Sequence, residues 1–295
     1  MTNLQDIFPC EKVLLVKELD PGYEDHASDV WYVKTDKREV IVRTSGIEDA
    51  ACTGPFFKGC NILFGIDPTN VFAMEGVSDT LARLDAFTYP KVLGKHKSDR
   101  EYVVVELLRG TTLHAFNGLP DDELIKLGYN LAKIHSHKLH YWGNPAGTFK
   151  IDMEQVNSHI IRSMGEIVNL FYLDDHKIVS YLPQMERILR DLPAPKYTSY
   201  VLVDMDPTQF LADNGRITGL VDTEAYVIAP REFDFIALEY VLDEKSAQLI
   251  SQGYKSILPL PDISAVRTVY RYLYRLIEVQ SADDIDDWLA QPALF

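Results

Sequence analysis

The stretch that decides the fold is Val203-Asp204-Met205-Asp206-Pro207-Thr208-Gln209-Phe210-Leu211-Ala212-Asp213-Asn214-Gly215-Arg216-Ile217-Thr218-Gly219-Leu220-Val221-Asp222. Two short β-runs, 210–212 and 217–221, flank an Asn-Gly pair, which is typical of a hairpin turn. Because the two ends of a hairpin lie side by side, we expect the carboxylates of Asp204 and Asp222 at one edge. Two carboxylates there can hold a divalent metal and take a proton from a hydroxyl. Phosphoryl transfer from a nucleotide needs both.

The residues that precede this stretch in the first third of the chain are rich in strand formers. Residues 29–35 and 39–43 form a hairpin pattern, and 102–107 is a nearly continuous apolar run typical of a buried strand. Residues 75–87 have helical spacing. Residues 45–70 mix Gly, Pro, Cys and Phe without a period, so we expect an irregular insert there.

Beyond residue 108 the pattern is mainly helical. Apolar residues at Leu124, Leu127, Leu131 and Ile134 form one stripe on a helix. Further helices are expected near 154–172, 178–191, 243–257 and 263–279. The sequence therefore predicts an α+β fold with two lobes, a small β-rich lobe over residues 1–107 and a larger helical lobe over residues 108–295.

Composition narrows the class of partner. The chain has 295 residues, a formal net charge of −15 and three cysteines. This charge disfavours nucleic acid and anionic membranes as partners and would help to attract a cationic small molecule. We expect no disulfides, no signal peptide at the N-terminus and no membrane span, and therefore a cytoplasmic location. The sequence indicates no oligomeric state.

The segment 203–211 resembles the catalytic loop of the aminoglycoside phosphotransferase and choline kinase family, which has a protein kinase-like fold. Residues 219–224 resemble that family's metal-binding segment, and Arg231-Glu232-Phe233-Asp234-Phe235 resembles the stretch that follows it. The spacing from Asp204 to Asp222 fits the family pattern. The resemblance extends over nearly the whole chain, although only residues 201–239 are specific enough to indicate the family.

The resemblance implies roles for a set of residues. Asp204 would be the catalytic residue that orients or deprotonates the acceptor hydroxyl, and Asp222 and Gln209 would hold Mg²⁺. Residues that would contact ATP are Arg43 at the phosphates, Glu75 as its ion-pair partner, Ser28 in the loop between the first two strands, and Glu106 and Leu108 in the hinge. Asp234 would brace the catalytic loop. Glu224 could assist the metal or be a surface charge, and the surface interpretation is favoured.

The sequence departs from the family at several of these positions. Leu202 stands where the family has His, Gln209 where it has Asn, and Arg43 where it has Lys. Arginine can bind phosphate but is not geometrically equivalent to lysine.

Two main functions follow from this resemblance. One is an ATP- and Mg²⁺-dependent phosphotransferase that acts on a hydroxyl of a small molecule, with aminoglycosides, choline-like amines and sugars all open as acceptors and GTP open in place of ATP. The alternative is a catalytically degenerate kinase-like protein that binds a nucleotide or a partner protein. A kinase-like enzyme that catalyses another transfer from ATP is a third possibility. The acceptor-binding residues are expected between 150 and 195 and near the C-terminus.

Overall fold

The chain folds as an α+β protein, as predicted. The structure is a computed structural model and describes residues 3–19, 28–47 and 54–295. Its strands are β1 (Val13–Glu18), β2 (Ser28–Thr35), β3 (Glu39–Ser45), β4 (Val92–Lys97), β5 (Glu101–Glu106), β6 (Thr111–Thr112), β7 (Tyr141–Gly143), β8 (Lys150–Asp152), β9 (Ser199–Leu202), β10 (Phe210–Asp213), β11 (Arg216–Leu220) and β12 (Tyr226–Ala229). Its helices are α1 (Pro55–Phe64), α2 (Met74–Arg83), α3 (Asp121–His135), α4 (Val156–Phe171), α5 (His176–Asp191), α6 (Glu232–Val241), α7 (Glu244–Lys255), α8 (Arg267–Leu276) and α9 (Ile285–Leu289).

The strand-rich part is an antiparallel sheet with the order β1-β2-β3-β5-β4. The predicted hairpin is its centre, since β2 pairs with β3 from Ser28 opposite Ser45 to Lys34 opposite Glu39. Side chains alternate across the sheet. Val40 and Val42 therefore pack in a small core on one face of β3, whereas Ile41 and Arg43 line a cleft on the other face.

The helical part is organised around one large apolar core. The predicted helical stretches 154–172, 178–191, 243–257 and 263–279 correspond to α4, α5, α7 and α8. In the described part of the chain no helix is both long enough and apolar enough to cross a membrane.

The segment predicted to be irregular differs from that expectation. Residues 55–64 form α1, which begins with Pro55 and ends at Gly65, whose φ of 67° is left-handed. Its buried residues Cys60, Leu63 and Phe64 belong to the core of the helical part, although they lie within the first third of the sequence. The helix was missed because its apolar contacts are long-range and its Gly and Pro content hides the period. Residues 48–53 lie outside the described residues.

The predicted carboxylate-bearing hairpin is formed by β10 and β11. These strands pair in antiparallel register from Phe210 opposite Leu220 to Asp213 opposite Arg216. Asn214 and Gly215 turn the chain with φ values of 50° and 73°, as an Asn-Gly turn requires. The residues just before β10 and just after β11 are thereby placed at the same end of the hairpin.

Candidate active site

A single large cleft brings the predicted site residues together. The space within it is about 1070 Å³, and it is lined by the sheet on one side and by the β10–β11 hairpin and parts of the helical core on the other. Asp204, Gln209, Asp222, Arg43 and Ser28 all line it.

Asp204 lies on the floor of this cleft, between strand β9 and the short turn Pro207–Gln209. Burial raises the pKa of its carboxyl to about 7, with the charges of Asp222 and Asp206 adding to the shift and the hydrogen bond from Gln209 opposing it. Gln209 Nε2 donates to Asp204 Oδ2 over 2.8 Å. A carboxylate that is short of compensating charge in this way is suited to accept a proton.

Gln209 and Asp206 have local roles as well. The Asp206 side chain accepts from Thr208 N over 2.8 Å and so caps the turn that ends at Gln209. Because Gln209 uses its amide nitrogen on Asp204, only its Oε1 is left to act as a metal ligand.

Asp222 follows β11 at the same end of the hairpin and, unlike Asp204, contacts a cation. Arg43 Nη2 lies 3.4 Å from Asp222 Oδ1, and Arg43 Nη1 donates to Val221 O over 3.2 Å. Arg43 Nη2 also lies 3.4 Å from Ser28 Oγ. The guanidinium therefore links the sheet to the segment that carries Asp222.

Two expectations at this point need correction. Glu75 does not pair with Arg43; it lies in the first turn of α2, forms an ion pair with Lys95 and keeps 47% of its side chain exposed. Met74 and Val77 of α2 line the cleft, and Glu75 is not among the described residues that do so. Ser28 is the first residue of strand β2 and not a loop residue, and residues 20–27 lie outside the described residues.

Glu224 takes the position next to Arg43 that was expected for Glu75. Its Oε1 lies 3.2 Å from Arg43 Nη2, and its Oε2 is buried without a hydrogen-bond partner among the described residues. Burial raises the pKa of Glu224, and the charge of Asp222 adds to the shift while Arg43 opposes it. Glu224 is therefore a partner of Arg43 and not an isolated surface charge. Its position two residues after Asp222 was the signal available in the sequence.

The other end of the cleft is an apolar slot beside the predicted hinge. Glu106 and Leu108 line it together with Ile41 and Val105. The Glu106 backbone N–H donates to Lys91 O over 2.9 Å, which ties the end of β5 to the segment before β4. Leu108 packs closely on Gly219, where an added Cβ would lie 2.6 Å from Leu108 Cδ1. Apart from the Glu106 carboxylate this lining is apolar, and an apolar lining suits a planar heteroaromatic ring.

Asp234 holds the strand that leads to Asp204. It is only 1% exposed, and its Oδ1 accepts from Leu202 N over 2.9 Å while its Oδ2 lies 2.8 Å from His135 Nε2. His135 Nδ1 in turn lies 3.0 Å from the hydroxyl of Tyr254. This buried network fixes the backbone two residues before Asp204.

The residues present fit a nucleotide with Mg²⁺. In residues 3–19, 28–47 and 54–295 no group of three or more His, Cys, Asp or Glu side chains is arranged to hold a metal by itself. Mg²⁺ in nucleotide sites is usually held by one or two carboxylates together with phosphates and waters. Asp222, the free Oε1 of Gln209 and the unpartnered Oε2 of Glu224 supply oxygens of the required kind, and Arg43 supplies a cation for phosphate.

Comparison with known proteins supports the fold. No protein-family model and no curated protein matches the sequence. Among solved structures, the chain is similar to the apoenzyme of macrolide 2'-phosphotransferase MphH from Brachybacterium faecium, with 13% identity, a TM-score of 0.60 and coverage of 94% of this chain and 93% of that chain. It is also similar to choline kinase LicA from Streptococcus pneumoniae, with 16% identity, a TM-score of 0.60 and coverage of 98% and 91%.

A third similar structure is a GDP complex of an aminoglycoside 2'-phosphotransferase, with 16% identity, a TM-score of 0.63 and coverage of 97% and 91%. At these identities the likeness concerns the fold. The chain has the two-lobed, kinase-like fold of the aminoglycoside and choline kinases, which confirms the predicted resemblance at that level. The predicted lobe boundary at residue 108 and the roles of the site residues stay predictions.

Proposed function

We propose that this chain is an ATP- and Mg²⁺-dependent phosphotransferase that acts on a hydroxyl group of a small molecule. The observation that carries the proposal is the placing of Asp204, Asp222 and Arg43 around one cleft beside an apolar slot. Two carboxylates in different surroundings and one cation are the groups that phosphoryl transfer from a nucleotide requires. The similar structures are named for phosphotransferases of this kind, and one of them holds GDP.

The proposed roles follow from the surroundings of each side chain. Asp204 accepts the proton of the acceptor hydroxyl. The oxygen of that hydroxyl bonds to the γ-phosphorus of ATP, and the bond from this phosphorus to the leaving ADP breaks. Arg43 and Ser28 contact the phosphates, and Glu106 and Leu108 border the base. Asp222 and the Oε1 of Gln209 would hold Mg²⁺, which when bound neutralises phosphate charge. Asp234 keeps the catalytic loop in place.

The cleft also favours an acceptor with positive charge. The carboxylates of Asp204, Asp222 and Glu224 lie in it, and the whole chain has a formal net charge of −15. Such a field raises the local concentration of cations. Aminoglycosides and choline-like amines therefore come before sugars in the order of testing.

A panel assay tests this function. Purified protein would be incubated with ATP and Mg²⁺ and with a set of aminoglycosides, choline-like amines and sugars, and formation of a phosphorylated product would be measured. Asp204→Ala serves as the control, because it removes the proposed proton acceptor and leaves the slot intact. The proposal fails if no member of the panel is phosphorylated faster by the wild type than by the control.

A second candidate is a degenerate protein that binds a nucleotide without transferring phosphate. The motive is that Arg43 already pairs with Asp222 and that Leu202 is buried where the resembled family has His. Thermal-shift titration separates the two candidates. Stabilisation by ATP that requires Mg²⁺ and disappears in Asp222→Asn supports the enzyme, whereas stabilisation by ATP without Mg²⁺ supports the binding protein.

A further inference from the structure

The helix α1 connects the two parts of the molecule in an unusual way. It lies in sequence between strands β3 and β4 of the sheet, yet it is packed into the helical core. Leu63 O accepts hydrogen bonds from Trp142 Nε1 and from His159 Nε2, the latter over 2.8 Å. Phe64 stacks on Trp142 with ring centroids 4.8 Å apart. These contacts hold α1 in a fixed position at one side of the cleft.

The close approach of α1 depends on a glycine. A Cβ at Gly59 would collide with Ile277, just beyond the end of α8, and would lie 3.6 Å from Ile167 Cδ1 of α4. The helix therefore lies directly on α4, between α4 and the cleft. In keeping with this, none of the described residues that line the cleft comes from 150–195 or from the C-terminal region, where the acceptor-binding residues were expected.

The cleft-facing side of α1 is aromatic and uncharged. Phe56 and Phe57 line the cleft with their rings 5.1 Å apart in an edge-to-face arrangement, and Cys60 follows one turn later. Both phenylalanines are only partly buried. Within the described residues this face carries no cation, so it is unsuited to phosphate and suited to an apolar or flat part of a ligand.

A second segment extends this wall. Asn144 Nδ2 donates to Gly65 O over 2.9 Å, which joins the end of α1 to the turn that follows β7. Asn144, Pro145 and Thr148 of this turn line the same cleft.

From these observations, and resting on the proposed function, we infer that α1 is the wall against which the acceptor binds and that Phe56 and Phe57 determine which acceptors fit. Cys60, which follows the two rings on the same face of α1, lines the same cleft as Asp204. An acceptor that lays an apolar face on the two rings would therefore have its hydroxyl directed toward Asp204. The nucleotide would occupy the opposite end of the cleft, beside Leu108.

The experiment measures acceptor and nucleotide separately in Phe56→Ala and Phe57→Ala. Choline and kanamycin serve as probes, because they are a small amine and a large one. We expect the KM of the accepted probe to rise about tenfold, which corresponds to about 1.4 kcal/mol, with kcat and the Kd for an ATP analogue unchanged. Phe57→Leu, which keeps an apolar side chain, should give a smaller rise. Leu173→Ala, at an exposed residue away from the cleft, is the matched surface control.

The outcomes distinguish this inference from the proposed function. If a probe is phosphorylated and both alanine variants keep the wild-type KM, the inference is wrong and the proposed function stands. If calorimetry shows that a probe binds the wild type and binds the alanine variants more weakly, but no member of the full acceptor panel is phosphorylated, the inference stands and the proposed function is wrong. If neither probe binds or reacts with the wild type, the inference is overturned, and the full acceptor panel then decides the proposed function alone.

Discussion

Asp204 precedes the β10–β11 hairpin and Asp222 follows it, yet their surroundings differ. Asp204 faces a neutral amide and two other carboxylates, and its pKa is raised to about 7. Asp222 lies 3.4 Å from the guanidinium of Arg43. Two identical side chains can therefore serve two purposes, because one is buried beside a neutral amide and the other contacts a guanidinium.

The largest expected effect comes from a substitution of Asp204, the buried carboxylate of this pair. Asp204→Asn keeps the shape of the side chain and removes the proton acceptor, so kcat should fall about a thousandfold. The Kd for ATP with Mg²⁺, measured by calorimetry, should stay at the wild-type value, because Asp204 is proposed to act on the acceptor. A large loss of nucleotide affinity in this variant would contradict the division of roles.

Asp222→Asn changes the carboxylate that contacts Arg43 and is proposed to hold Mg²⁺. We expect kcat/KM to fall about a hundredfold, which is the scale typical of a lost metal-site interaction. Unlike the Asp204 variant, it should also lose the Mg²⁺-dependent part of the thermal stabilisation by ATP. Melting curves with and without Mg²⁺ measure this difference. Equal stabilisation of wild type and variant by ATP with Mg²⁺ would show that Asp222 does not hold the ion.

The partner of Arg43 provides a sharper and smaller test. Glu224→Gln removes the carboxylate 3.2 Å from Arg43 and should raise the KM for ATP about tenfold, since truncating one partner of a partly buried charge pair misplaces the other. Glu75→Gln is the matched control and should leave this KM unchanged, because Glu75 pairs with Lys95. A higher KM for ATP in Glu75→Gln and an unchanged one in Glu224→Gln would instead support the Arg43–Glu75 pair that the family resemblance implied.

The smallest effect concerns the amide beside Asp204. Gln209→Ala removes the 2.8 Å hydrogen bond to Asp204 together with a proposed metal oxygen. We expect kcat to fall about fivefold, which is the scale of one hydrogen bond of about 1 kcal/mol. Gln209→Asn, which keeps the amide on a shorter side chain, should lose less than the alanine variant in the same rate assay. A greater loss in the asparagine variant would contradict this account of Gln209.

Local pattern was enough for much of the fold. The strands of the β2–β3 hairpin, the long helices and the β10–β11 hairpin were all predicted, because alternation, helical spacing and an Asn-Gly turn are properties of neighbouring residues. The α1 helix was not predicted. Its stability comes from residues such as Trp142 and His159, which are about eighty or more positions away.

The amino-acid sequence by itself determined the α+β class and the position of Asp204 and Asp222 at one end of a hairpin, since a tight turn and two short strands leave little freedom. Only the tertiary structure decided that Arg43 pairs with Glu224 instead of Glu75, and that α1 leaves the sheet to form a wall of the cleft. Both outcomes depend on how distant segments pack, and an ion pair or an apolar contact forms with whichever partner packing brings within reach.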